Sequence, residues 1–175
     1  MDELAALRGE RDMAASAIDA AWAERLAALR VGVIGGGLVA LLGFALPWFR
    51  VSRSYLWWYG GWDLLTTNRP DLAWIGVLFL GYALIVVAGW FLPRFGIAEV
   101  TILLAAAIGL ASAATIVVAL AAADAVNDVG RVYRLDFGFG LPLLVVGHGV
   151  LIASAIAAVV MQGIRAALAD LARVG

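Results

Sequence analysis

Cysteine and lysine are both missing from the 175 residues, histidine occurs once, and charged residues make up only 14% of the chain. Without cysteine there can be no disulfide, thiolate nucleophile, iron–sulfur cluster or cysteine-ligated zinc. Without lysine the cations are twelve arginines, set against thirteen acids, and a net charge of −1 excludes nucleic-acid binding through bulk electrostatics. What is present is apolar. Hydrophobic residues reach 65% and the mean hydropathy is +1.00, whereas a soluble domain has about 45–50% apolar residues. One core of this size cannot hide that much apolar surface, so the excess faces lipid. A water-soluble globular domain is excluded.

Four stretches approach or exceed the ~20 apolar residues that a helix needs to cross ~30 Å of hydrocarbon: 31–49, 72–92, 97–123 and 137–161. No ten-residue alternation with aromatic girdles recurs, which argues against a transmembrane barrel. The expected fold is all-α: a four-helix transmembrane bundle over 31–163, preceded by an amphipathic helix over 1–30 and followed by a short tail over 164–175. The charged helical pattern ahead of the first stretch is unlike the short basic region of a signal peptide, so that stretch reads as a retained span.

In the segment 1–30, Leu4, Leu7, Ala14, Ile18, Trp22, Leu26 and Leu29 recur at helical spacing. Its acids (Asp2, Glu3, Glu10, Asp12, Asp19, Glu24) outnumber its arginines (Arg8, Arg11, Arg25, Arg30), so anionic headgroups do not attract it. Leu7, Ile18 and Trp22 are therefore candidate contacts with a partner helix or with copies of the chain. The connection 50–71 carries Tyr55, Trp57, Trp58, Tyr59 and Trp62. Two readings stand: rings at headgroup level that fix helix depth, or a docking patch made of Trp57, Trp58, Tyr59 and Trp62. Four spans place both termini on one side. Arginines near the span ends divide equally between the two sides, and Arg8 and Arg11 tip the expectation toward cytoplasmic termini.

The glycine run at 32–37 does not match a phosphate-binding loop, since no strand precedes it and no Lys-Ser/Thr follows. It supplies small residues at Gly32, Gly36 and Ala40, one per turn, which allow close helix approach. Ala105, Gly109 and Ala113 repeat the theme in the third span, beside a second small face of Ala107, Ala111 and Ala114. His148, between Gly147 and Gly149 in the fourth span, is an ionisable group within the bilayer and needs a partner. Ser112, Thr115, a backbone carbonyl and the more distant Glu99 are the candidates. No acid pair, serine–histidine arrangement or histidine cluster is legible, so the expectation is a protein without catalytic residues, metal or cofactor.

A first span ending Leu46-Pro47-Trp48, a polar-aromatic loop leading to Gly61-Trp62-Asp63-Leu64, a helix hairpin, and a last span opening on Gly138, Gly140 and Leu141 together resemble small four-helix membrane proteins of actinobacteria. The layout is also loosely similar to animal claudin-like tetraspan proteins. The cysteine pair and long extracellular sheet region of those proteins are absent, so a barrier function is not implied. The resemblance implies a multi-pass plasma (inner) membrane protein with the tryptophan loop outside and no catalytic residues. From these features the expected function is a non-catalytic membrane subunit or scaffold of a larger cell-envelope complex, its partners the bilayer and other membrane proteins or copies of itself. The alternative is a homo-oligomeric channel or small transporter, with a pore lined by spans three and four.

Overall fold

The computed structural model describes the backbone of residues 2–51, 60–66, 73–128 and 135–174, and the side chains of 13, 16–17, 19–49, 60–66, 73–123 and 137–171. α1 (Asp2–Ala45) is one unbroken helix of 44 residues, about 66 Å long at 1.5 Å per residue. The amphipathic segment 1–30, whose continuity with the first span the sequence left open, runs straight into that span, because no proline occurs before Pro47. That proline disfavours helical geometry at the residue before it and ends the helix. The helix end is closed by two bonds: the Leu46 N–H donates to Leu42 O at 2.9 Å, and the Trp48 indole Nε1–H donates to Gly43 O at 3.0 Å. These take up carbonyls that have no partner within the helix.

Beyond α1, β1 (Phe49–Val51) pairs antiparallel with β2 (Leu135–Phe137), Phe49 opposite Phe137. The short helix α2 (Gly61–Thr66) is started by Asp63, whose carboxylate accepts the Gly60 N–H at 2.9 Å. That is the reach-back half of a capping box. α3 (Ile75–Phe91) ends in a 3₁₀ turn (Leu92–Arg94). α4 (Ile97–Asp128) and α5 (Gly140–Val174) follow. The fourth helix opens at Gly140 rather than at 137, because residues 135–137 are extended in the ribbon. The N–H groups of Gly138 and Gly140 are held there by Trp48 O (2.8 Å) and Pro47 O (3.0 Å). Pro142, the third residue of α5, lies where a missing N–H costs nothing. The expected tail is helix as well: 164–174 continues α5, its alanine, leucine and arginine being strong helix formers.

Among the described residues, four helices are long and apolar enough to cross a membrane: Asp19–Ala45, Ile75–Arg94, Ile97–Ala123 and Gly140–Leu171. Around the bundle α1 neighbours α3, α3 neighbours α4, α4 neighbours α5, and α5 returns to α1. The Arg165–Asp19 ion pair (3.5 Å) places the first part of α1 beside the last part of α5, so both projecting ends share one side. Large apolar side chains such as Val77, Leu84, Ile102, Ile116, Val145 and Val160 point outward, which suits lipid contact. Two buried clusters fill the inside. One, at the ribbon end, centres on Phe44, Trp48, Ile75, Leu78, Tyr82 and Leu144. The other, at the terminal end, centres on Val33, Ile85, Leu92, Val100, Leu103 and Leu151.

Candidate functional site

Small residues set the geometry of the centre. α1 and α5 run antiparallel with their backbones in contact: a β-carbon on Gly36 would meet Leu151 N at 2.5 Å, one on Gly43 would strike the Leu144 backbone, and one on Gly147 would strike Ala40 N. Gly32 faces Ser154 in the same seam. The stripe Gly32, Gly36 and Ala40 thus packs against α5 of the same chain, and dispersion over this close seam supplies the attraction that water cannot supply inside a bilayer. The second stripe behaves otherwise. Ala105 and Gly109 are exposed, and nothing lies within 4 Å of a β-carbon placed on Gly109. The face of α4 that packs is Val100, Leu103, Ala107, Ala114, Val117 and Ala121, and Ala113 lies only at its edge. Sequence spacing gave two small faces on one helix, and only the bundle chooses between them.

The tight α1–α5 seam fixes the roll of α5, and the residue after Gly147 therefore turns inward. His148 is 9% exposed, and its Nε2 lies 2.6 Å from the hydroxyl of Tyr82, which is completely buried on α3. The rings stack at 24°, with centroids 5.7 Å apart. α3 and α5 stand at opposite corners of the bundle, so the bond crosses its centre. Ser112 and Thr115, expected as partners, are exposed on α4, and the Thr115 hydroxyl donates to Ala111 O at 2.8 Å. A polar group carried on the lipid side of α4 cannot reach a histidine at the centre. Glu99 is exposed at the start of α4, near the terminal end of the bundle and on the outer side of the α3–α4 pair. The signal that could have found the partner is Tyr82 itself, since a phenol in the middle of a span needs somewhere to place its hydroxyl.

Tyr82 also closes an aromatic stack toward the ribbon end. Phe44 lies 5.7 Å from Tyr82, 5.0 Å edge-on from Phe79 and 5.3 Å from Trp48. Gly61 rests directly on the Phe44 ring, where a β-carbon would come within 2.5 Å. α2 therefore seats as a cap on the bundle, with Trp62 packed edge-on to Phe79 at 6.1 Å while remaining exposed. Of the expected contact residues, Trp62 lies on this cap and Trp22 is half-buried on α1. Trp57, Trp58 and Tyr59, and the side chains of Leu7 and Ile18, lie outside the described residues.

The chemistry available at the centre is limited in kind. The tyrosine hydroxyl and the imidazole satisfy one another, the donor and acceptor roles following from the tautomer. Among the described residues no third titratable group extends the pair, and no three of His, Cys, Asp or Glu come together. The arrangement links α3 to α5 through a polar bond in an apolar interior. No family model, curated protein or solved structure matches the chain.

Proposed function

We propose that the chain is a non-catalytic integral membrane subunit that joins a larger membrane assembly through the parts of α1 and α5 that project beyond the bilayer. One observation carries this reading. Every described side chain of α5 from Ile164 to Leu171 is exposed, and Ile164, Leu168 and Leu171 repeat at helical spacing at the end of the 32-residue stretch Gly140–Leu171, which at 1.5 Å per residue is longer than ~30 Å of hydrocarbon requires. Met13 on the facing part of α1 is exposed too. An apolar stripe on a helix in water favours a protein partner, and a groove-seated helix is the common way to supply one. The membrane part supports the same reading from the other direction. Its Gly32, Gly36 and Ala40 seam is occupied inside the chain, and the central Tyr82–His148 pair is already satisfied.

The test uses the full chain, with a photo-cross-linking residue at Leu168 or at Trp62, followed by native mass spectrometry in mild detergent. Cross-links from Leu168 to one defined protein, lost together with that protein's mass in Leu168→Asp/Leu171→Asp, are the expected result. A mass that is only a whole-number multiple of 18.4 kDa would transfer the reading to a self-assembled channel or transporter. Such a pore requires several copies, because the interior of one chain is packed by the two buried clusters.

A further inference from the structure

α3 and α4 pack unevenly along their length. Gly81 and Ala88 on one helix and Ala106 on the other hollow out a groove of about 410 Å³ between them. Its wall is apolar except for one side chain, the carboxylate of Glu99. The flanking Leu84 and Ile102 are 58% and 69% exposed, so the groove opens outward, to the hydrocarbon in a chain that spans a bilayer. Both ends are defined. At the ribbon end Leu110 lies over Gly81, where a β-carbon would come within 2.6 Å. At the terminal end Phe95 forms the wall and is held twice: its N–H donates to Leu92 O at 3.2 Å, and its carbonyl accepts from Gln162 Nε2 at 2.9 Å.

The dimensions select the occupant. From Glu99 to Leu110 the groove runs roughly 16 Å at 1.5 Å per residue, close to the ~15 Å of hydrocarbon in one leaflet. A helix is about 10–12 Å across and does not enter a slot of this volume with a blocked end, whereas one acyl chain does. Charge selects the headgroup. Glu99 lies in the first turn of α4, and Arg94 is exposed on the 3₁₀ turn just before it. Neither belongs to an ion pair among the described residues. A carboxylate in the first turn of α4 and a guanidinium on the 3₁₀ turn before it, both exposed at one end of the groove, complement a headgroup that carries one ammonium and one phosphate. A purely anionic headgroup leaves Glu99 opposed to like charge, and a trimethylammonium group has no N–H to donate to it.

We infer that the α3–α4 groove is a lipid site, seating one acyl chain of a phospholipid whose primary-amine headgroup meets Glu99 while its phosphate meets Arg94. The inference does not depend on the proposed assembly role. The test is native mass spectrometry of the whole protein equilibrated with phosphatidylethanolamine, phosphatidylglycerol or phosphatidylcholine of identical acyl chains. The wild type is expected to retain phosphatidylethanolamine over the other two by about 1.5- to 5-fold, the range expected of one exposed charge pair. Glu99→Gln should bring the three to parity. Ala106→Phe, which fills the groove from an exposed position, should remove retention of phosphatidylethanolamine while circular dichroism shows unchanged helix content. Equal retention of all three lipids by the wild type, a preference that survives Glu99→Gln, or undiminished retention in Ala106→Phe would each overturn the inference.

Discussion

At the scale of single residues, the bond between Tyr82 and His148 is the feature most exposed to experiment. Each partner is the other's only described polar contact across the bundle centre, and an unsatisfied buried group costs more than the bond itself yields. Tyr82→Phe and His148→Leu should each lower the unfolding free energy measured in mixed micelles, by about 1–3 kcal/mol. The double variant should be less destabilised than the sum, with a coupling of roughly 0.5–1.7 kcal/mol, the range seen for polar pairs between membrane helices. Strict additivity would mean that the two side chains do not interact. Trp48 acts at the same scale. Its indole closes the end of α1 on Gly43 O, so Trp48→Phe keeps an aromatic ring against Phe44 but removes the bond, worth about 0.5–1.5 kcal/mol, together with part of a buried ring.

At the scale of helices, two glycine-containing faces that look alike in sequence do opposite things. Gly36 and Gly147 lie in a seam where backbone meets backbone, while Gly109 looks into open space. Valine at Gly36 or Gly147 has no flexible neighbour to displace, so α1 and α5 must separate, at a cost of about 1–3 kcal/mol or more. Gly109→Val should stay within about 0.5 kcal/mol of wild type, as outer-surface substitutions do. Measuring the three unfolding free energies side by side checks the assignment, and an equal loss at all three positions would contradict it. The same seam explains why His148 points to α3. Once Gly43, Gly147 and Ala40 lock the roll of α5 against α1, the next residue has one direction left.

At the scale of the whole molecule, the absence of cysteine makes topology directly testable, because any introduced thiol is the only one present. Met13→Cys and Leu168→Cys should react with a membrane-impermeant maleimide from one side of sealed vesicles, and Trp62→Cys from the other. Ile108→Cys, on the outward face of α4, should stay unlabelled. Labelling of Met13→Cys and Trp62→Cys from the same side would break the four-span arrangement. The length of α1 gives this prediction its physical basis: a helix of about 66 Å cannot be contained in ~30 Å of hydrocarbon, so its acidic first part must project.

The sequence by itself determined the solvent, the fold class and the approximate spans. All three follow from one-dimensional quantities: an apolar fraction too high for water, runs long enough to cross a bilayer, and proline positions at Pro47, Pro93 and Pro142 that mark helix boundaries. It also exposed His148 as a group in need of a partner and the 32–40 stripe as a close-packing face. The tertiary structure alone decided what those features meet. Ser112 and Thr115 share a helix with the buried Ala107 and Ala114, yet the rotation of α4 turns them to the outside. Tyr82 is 66 residues from His148, and nothing local to either residue records that α3 and α5 face one another across the centre. The roll of each helix about its axis is set by packing against its neighbours. A chain of small and apolar residues offers several nearly equivalent faces, so its periodicity names the candidates and the bundle selects among them.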